Sequence, residues 1–348
     1  MFDKESGKLS NPMFDEGETV AVVTTQKGKE FLDYLVPKGG VTVGAIVKVP
    51  IRKGTVLGIV WSRGFLGQSA YKKKEISKVL DLPSLQTDVR DFLRRSSEYN
   101  IFSLNTAIRL SLNPTLNLET ENTSYGYELG GEKIKRITLE RKRVLDVLSD
   151  EGKGPLNKLD LMKRANVSDS VIRNLEKKDV LKKIVIHKPN EFSKIETSFS
   201  NTLSKVQKKV SDELRSKVKS ETYSTTLLKG VTGSGKTEVY MDAIAEAISK
   251  GTQVLVLFPE INLSTTFFER LRERFKSGFA EWNSSISKMK KRQVLMGVLD
   301  GSLKLVLGAR SAVFLPFNNL GLVVVDEEHD TSYKQEEGPR YHLSLIHI

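Results

Sequence analysis

The sequence predicts a multidomain α/β protein, with a small N-terminal β module, a mostly helical second module, and a lobe of parallel strands alternating with helices. Three observations predict this. Between Glu18 and Trp61, the short β-rich runs TVAVV, VTVGAIVKVP and TVLGIVW are separated by Gly and Pro. From about 111 to 190, short helical stretches precede the basic hairpin-like run LKKIVIHK. From about 205, apolar runs alternate with helical ones, as in a parallel sheet covered by helices. At 348 residues the chain has room for two or three domains, and it can bury a core without staples.

The elements follow in order. Residues 1–17 are polar and read as a disordered leader, and the β module with its helical tail spans 18–110. Within that tail, residues 71–108 are expected to be helical, because apolar residues recur at helical spacing from Ile76 to Leu110. The second module spans 111–190. ITLERKRVLDVLSD puts Ile137, Val144, Leu145 and Leu148 on one face, and PLNKLDLMKRA and DSVIRNLEKKD are two short helices joined by NVS. Asp169 is the expected N-cap of the last. Three helices and a wing make a winged helix, whose second short helix either enters a DNA major groove or serves a protein contact. Residues 191–204 read as a polar linker. In the lobe, 205–342, TLLKGV, QVLVLFP, KLVLGA and LGLVVVDEEH are the strands, with TEVYMDAIAEAISK and TTFFERLRERF as helices.

The sharpest chemical signal is GVTGSGKT at 230–237, which fulfils G-x-x-x-x-G-K-[ST] between an apolar run and an amphipathic helix. Gly230, Gly233 and Gly235 let the backbone around Ser234 turn its N–H groups toward phosphate oxygens. Lys236 supplies charge to the β- and γ-phosphates of ATP, and the Thr237 hydroxyl suits Mg²⁺. VVVDEEH is read as a buried strand ending in an acid at the sheet's carboxyl edge. That places Asp326 to hold Mg²⁺ and Glu327 to orient or deprotonate a water, with His329 reporting the γ-phosphate state to a bound strand. SYKQEEGPRYH interleaves Tyr333, Tyr341 and His342 with Lys334 and Arg340; it is either a base-stacking segment or an exposed turn around Gly338–Pro339. GARSAVF and PEI follow strands. Arg310 and Ser311 are placed to meet a backbone phosphate, unless both runs are plain strand-to-loop transitions.

Composition narrows the partners. Lys and Arg exceed Asp and Glu by 55 to 43, and within 131–190 sixteen basic residues face nine acidic ones. A basic surface favours a polyanion through counterion release. No run approaches the roughly 18–20 apolar residues of a membrane span, and MFDKESGKLSNP has no apolar core for a signal peptide. With no cysteine there are neither disulfides nor thiolate metal sites, which fits a cytoplasmic protein.

Taken in order, GVTGSGKTEVY, FPEINL, GARSAVFLPF and VVVDEEHDTSYKQEEGPRYH resemble the superfamily 2 DNA helicases of DExH type, and among these the primosomal replication-restart helicases. EFLDYLVP, VTVGAIVKVP and GIVW resemble that family's 3′-end-binding domain, and RKRVLDVLSD through SDSVIRNLEKKDVL its winged helix, so the likeness covers roughly 18–342. The resemblance implies a RecA-like first lobe and ATP-driven 3′→5′ movement on forked and single-stranded DNA. Single-stranded-DNA-binding protein and primosome-loading proteins are the implied partners. It makes Gln207 an adenine contact, and it assigns 333–342 to coupling single-stranded DNA to hydrolysis. Asp33, Tyr34 and Gly44 match a pocket for a terminal nucleotide. Leu32 stands where the family has phenylalanine, and WNSS at 282–285 replaces WHSG. After His342 the family pattern gives way to LSLIHI, so 343–348 is expected to be an aberrant or truncated end. Motif III, a second lobe with its arginine finger and a cysteine-rich zinc insertion do not follow, and zinc has no ligands here. Two further readings stand beside the helicase: a non-motor module binding fork DNA and ATP, and an unrelated P-loop kinase or GTPase. The last is disfavoured by DEEH and by the lack of a guanine-reading or acceptor site.

Overall fold

The computed structural model describes residues 12–52, 54–64, 73–118, 123–130, 137–149, 156–187, 192, 195, 197, 203–231, 233–259, 265–276 and 278–343. It divides into two compact units, one of Met1–Asn117 with Asn190–Ile348 and one of Leu118–Pro189.

In the first unit, strands β1 (Met13–Phe14), β2 (Thr19–Thr24), β3 (Leu32–Leu35), β4 (Val41–Thr42), β5 (Ile46–Pro50), β6 (Thr55–Arg63), β7 (Lys74–Glu75) and β8 (Lys78–Val79) build the β module. Its main sheet has the order β7-β3-β2-β6-β5-β8. Val20, Val22, Val47, Val49 and Val60 fill the core, as period-two alternation requires. The leader is ordered from Pro12 onward: β1 pairs with β4 and buries Phe14, while residues 1–11 lie outside the described residues. The helical expectation for 71–108 is corrected. Residues 74–79 join the sheet edges with Ile76 in the β core, and α1 begins only at Thr87, after Pro83 has limited the chain to extended backbone. Helices α1 (Thr87–Tyr99) and α2 (Leu104–Leu112) complete the module.

Leu118–Pro189 forms β9 (Thr123–Leu129), α3 (Leu139–Ser149), β10 (Leu156–Asn157), α4 (Lys158–Ala165), α5 (Asp169–Glu176) and β11 (Leu181–His187), with sheet order β10-β9-β11. Val144, Leu161, Ile172 and Leu175 are its buried centre, which is the packing expected of three helices and a wing. Ile137, placed on the inner face of α3 by periodicity, is 58% exposed. Ser168 is the N-cap of α5, and Asp169 is the first helical residue, paired with Lys158 and Arg173.

The lobe holds α6 (Lys205–Lys219), α7 (Lys236–Ser249), β12 (Gln253–Leu257), α8 (Thr265–Phe275), β13 (Phe279–Trp282), α9 (Lys288–Leu299), β14 (Leu305–Gly308) and β15 (Leu320–Val325). Short 3₁₀ turns cover Arg310–Phe314 and Thr331–Tyr333, and β16 (Lys334–Gln335) pairs with β17 (Tyr341–His342). The sheet order is β13-β14-β12-β15, all parallel. Met241, Ile244 and Ile248 of α7 pack on Val254, Val256, Leu305 and Leu307. Two expectations fail here. TLLKGV forms no strand and joins no sheet among the described residues: apolar composition does not provide a ladder partner, and Leu227 and Val231 are 63% and 80% exposed. For its part, β15 is an edge strand, half-buried at best, because only β12 flanks it among the described residues. The linker is also more than a tether, since Phe192 is buried and Ile195 packs on the lobe core.

The β module and the lobe belong to one unit because the tail helices bridge them. Phe92 of α1 lies 5.9 Å from Phe314, whose ring meets Tyr341 edge-on at 5.0 Å. Gln86 Nε2 donates to Asn318 Oδ1 at 3.2 Å, and Arg292 Nε to the Asn117 carbonyl at 2.7 Å. No described helix is long and apolar enough to cross a membrane.

Candidate functional site

The glycine-rich loop runs into the N-terminus of α7, whose first N–H groups have no partners within the helix. Gly235 caps α7 at φ +81°, and a Cβ there would strike the Gln207 side chain, so the position excludes larger residues on two grounds. Lys236 begins the helix, and its Nζ donates to the Gly230 carbonyl at 2.7 Å. The resemblance makes Gln207 an adenine contact. In the structure both ends of its amide are engaged: Oε1 accepts from Ser204 N–H in the capping box of α6, and Nε2 donates to the Ser234 carbonyl, each at 2.8 Å. Gln207 thus ties the loop backbone to α6.

Asp326 immediately follows β15, with its N–H on the Leu257 carbonyl at 2.9 Å. Oδ1 accepts from Glu327 N–H and Oδ2 from the Tyr240 hydroxyl, both at 3.1 Å. Burial raises its pKa above the ordinary aspartate value, while the Tyr240 hydrogen bond and the Lys236 charge oppose that shift. Tyr240 stands one turn after Thr237 on α7, so its hydrogen bond to Asp326 ties the start of the P-loop helix to the carboxylate. Lys236, Thr237 and Asp326 converge at the carboxyl edge of the sheet. Glu327 adopts φ +47° and is exposed, and His329 Nε2 lies 3.6 Å from its Oε2.

The segment expected to stack bases is built otherwise. Tyr333 is 1% exposed, and its hydroxyl donates toward the carbonyls of Leu257 at 3.0 Å and Asp326 at 2.5 Å. Tyr341 is 5% exposed, against Phe314. For Tyr341 the reason lies in the hairpin register, in which Gln335 pairs with Tyr341 facing inward and Lys334 with His342 facing outward, whereas Tyr333 ends the 3₁₀ turn before the hairpin. The Tyr333 ring is therefore unavailable to bases, whereas Tyr341, though 5% exposed, lines an open groove of about 460 Å³ together with Asn100 of the β module's tail, Lys334, Gln335, Glu336, Arg340 and His342. Arg310, read as a phosphate contact, directs Nη1 to the carbonyls of Ser332 (2.7 Å) and Lys334, clamping the base of this hairpin. Ser311 is exposed beside it. Pro259 is described, but the rest of PEI lies outside the described residues.

In the β module, Tyr34 points into the core with its hydroxyl on the Pro50 carbonyl at 3.1 Å. Asp33, its strand neighbour, projects to the opposite face, so the two do not share a pocket wall. Gly44 has φ +86° under the Leu85 backbone, where a Cβ would collide with the Leu85 carbonyl; close chain approach explains this glycine.

Sequence reasoning missed two groups. Tyr240 follows Thr237 by one helical turn, a signal present in GKTEVY. Arg274 of α8 is buried and paired with Asp242 and Glu238 of α7, with Ser211 of α6 donating to Asp242 Oδ2 at 2.7 Å. Among the described residues, no group of His, Asp and Glu gathers that could hold a metal by itself.

The fold and site define a P-loop lobe of helicase type behind a β module. Residues 204–348 match the DEAD/DEAH box helicase family, and residues 20–113 match the 3′DNA-binding domain (3′BD) family. The replication restart protein PriA of Rickettsia felis is 34% identical over 312 residues, covering 89% of this chain and 37% of that protein. PriA of Chlamydia pneumoniae is 30% identical over 347 residues, covering 94% and 46%, and that of Bacillus subtilis is 35% identical over 221 residues, covering 62% and 28%. The chain belongs to the family of replication restart protein PriA. It spans less than half the length of these curated relatives.

Proposed function

We propose that the chain acts as an ATP-dependent 3′→5′ DNA helicase of superfamily 2, which recognises stalled or abandoned replication forks in the cytoplasm and initiates replisome reloading. The observation that carries this reading is the Tyr240–Asp326 hydrogen bond, which brings the start of α7, bearing Lys236 and Thr237, to Asp326 at the sheet edge. A hydroxyl and a carboxylate are the hard oxygen donors that Mg²⁺ takes together with phosphate and water. Bound with ATP, the ion neutralises charge on the β- and γ-phosphates.

The chain's own residues do the rest. Loop N–H groups and the α7 N-terminus orient the phosphates, and Lys236 exchanges the Gly230 carbonyl for a phosphate oxygen. Thr237 and Asp326 hold the ion. Glu327 orients or deprotonates the attacking water, with His329 at hand to relay the state of the site. Lys334, Arg340 and His342 are the exposed groups for a DNA backbone, and the winged helix and Asp33 contribute fork and 3′-end contacts. The latter is tested by D33A, which is expected to lose the preference for a 3′-hydroxyl over a 3′-phosphate end; no discrimination in the parent protein overturns it. Single-stranded-DNA-binding protein and primosome-loading proteins are the proposed partners.

A second reading is favoured by the single parallel sheet among the described residues. In it, residues 1–348 by themselves bind forks and ATP without unwinding, since motors of this class close two lobes around nucleotide. Strand displacement run beside gel-shift binding separates the two. The nucleotide site is tested with Lys236→Ala and a fluorescent ATP analogue. Loss of a charged donor costs about 1.5–3 kcal/mol, one to two decades in affinity, and equal affinities overturn the assignment.

A further inference from the structure

Tyr240 is placed unlike any other side chain of the lobe. It stands one turn after Thr237 on α7, so both side chains share a face of the helix. Its ring is buried in the lobe core, which fixes where the hydroxyl points. That hydroxyl donates to Asp326 Oδ2 at 3.1 Å. The carboxylate is thus held at both oxygens, Oδ1 by its neighbour's N–H and Oδ2 by a side chain rooted in the P-loop helix. Asp326 needs such support, because it follows a half-exposed edge strand rather than a buried one. Burial raises the Tyr240 pKa well above the ordinary tyrosine value, so the group remains a donor across the physiological range.

We propose that Tyr240 is a positioning residue for magnesium, setting the Asp326 carboxylate in register with the Thr237 hydroxyl so that one hard cation is shared between them. The inference rests on the nucleotide-site reading above and deepens it. A phenylalanine at 240 keeps the ring and the packing and removes only the oxygen. The carboxylate then has additional rotamers to lose when the ion binds, which weakens magnesium without touching the phosphate cradle.

The test uses the full 348-residue chain and Y240F. A fluorescent ATP analogue is titrated in EDTA, and the magnesium concentration giving half-maximal enhancement of its binding is then measured. Expected are unchanged affinity in EDTA, an unchanged unfolding midpoint and a magnesium half-saturation raised about five- to ten-fold, the worth of one ordinary hydrogen bond. In a D326N background, the additional Y240F change should have no further effect on magnesium. Equal half-saturation in parent and Y240F overturns the inference. So does tighter magnesium binding in Y240F, which makes the hydroxyl a competitor for Oδ2. An equal loss in EDTA, or an effect that persists with D326N, also overturns it, because the tyrosine then acts on the loop in general. A parent chain that does not bind the analogue overturns the nucleotide-site reading itself.

Discussion

Replacing Tyr333 with phenylalanine separates the two roles its ring could have. The hydroxyl reaches two main-chain carbonyls, those of Leu257 and Asp326, from a side chain that is 1% exposed. Leu257 keeps a hydrogen bond from the Asp326 N–H at 2.9 Å when the hydroxyl is removed, so its loss is small. The Asp326 carbonyl loses the hydroxyl that lies 2.5 Å away. A buried acceptor deprived of its donor costs about 1–3 kcal/mol. Burial also raises the Tyr333 pKa, so the donor is present throughout the ordinary pH range. Urea unfolding of the free chain, followed by far-UV circular dichroism, should show Y333F destabilised by about 1–3 kcal/mol without DNA. If the ring instead stacked on bases, phenylalanine would preserve the stack and leave the free chain unaffected. An unfolding curve that superimposes on the parent, within about 0.5 kcal/mol, refutes the pin.

Arg274→Met strands Asp242 in a site where both side chains are below a tenth exposed, and it should cost about 3–5 kcal/mol in urea unfolding. A loss under about 1 kcal/mol would show the pair to be dispensable, whereas recovery in R274M/D242L is the expected sign of a buried pair. In the winged helix, burial and the hydrogen bond to Glu176 raise the Tyr127 pKa to about 12 from 10.0. A raised pKa favours the protonated form in the fold, so its contribution is complete below pH 10 and is lost as pH climbs toward 12. Y127F should lack that part of the alkaline decline in unfolding midpoint; identical slopes refute the assignment. Gly44→Ala must both hold φ +86° and displace the Leu85 backbone, so a loss of at least about 1 kcal/mol is expected in thermal or urea unfolding.

What the sequence made legible was whatever depends on local pattern. Alternating valines marked β2, β5 and β6, and the strand–loop–helix order marked α7, β12, β14 and β15. The placement of the glycine-rich loop before α7 and of Asp326 after β15 was readable because both motifs use fixed residue types at fixed spacing. Tyr333 was misread because composition does not reveal that its hydroxyl meets the Leu257 and Asp326 carbonyls from a buried 3₁₀ turn, and the inward register of Tyr341 is set by its pairing with Gln335. Arg310 was misread for a related reason, its partners being carbonyls that lie twenty-two and twenty-four residues away. TLLKGV at 226–231 shows the converse, a strand-like composition that joins no sheet among the described residues.

The bridge from α1 to the lobe bears on how the protein is made. Gln86 and Asn318 are separated by 232 residues, with the whole winged helix synthesised between them. At about 5–20 residues per second, the tail helices leave the ribosome roughly 10–45 s before the surface that receives Phe92 exists. The winged helix, whose contacts lie within Leu118–Pro189, can close in that interval, whereas the first 117 residues wait with an apolar face uncovered. Nascent chains halted between 190 and 300 should therefore present α1 to chaperones and proteases, and release it only when Phe314 has emerged.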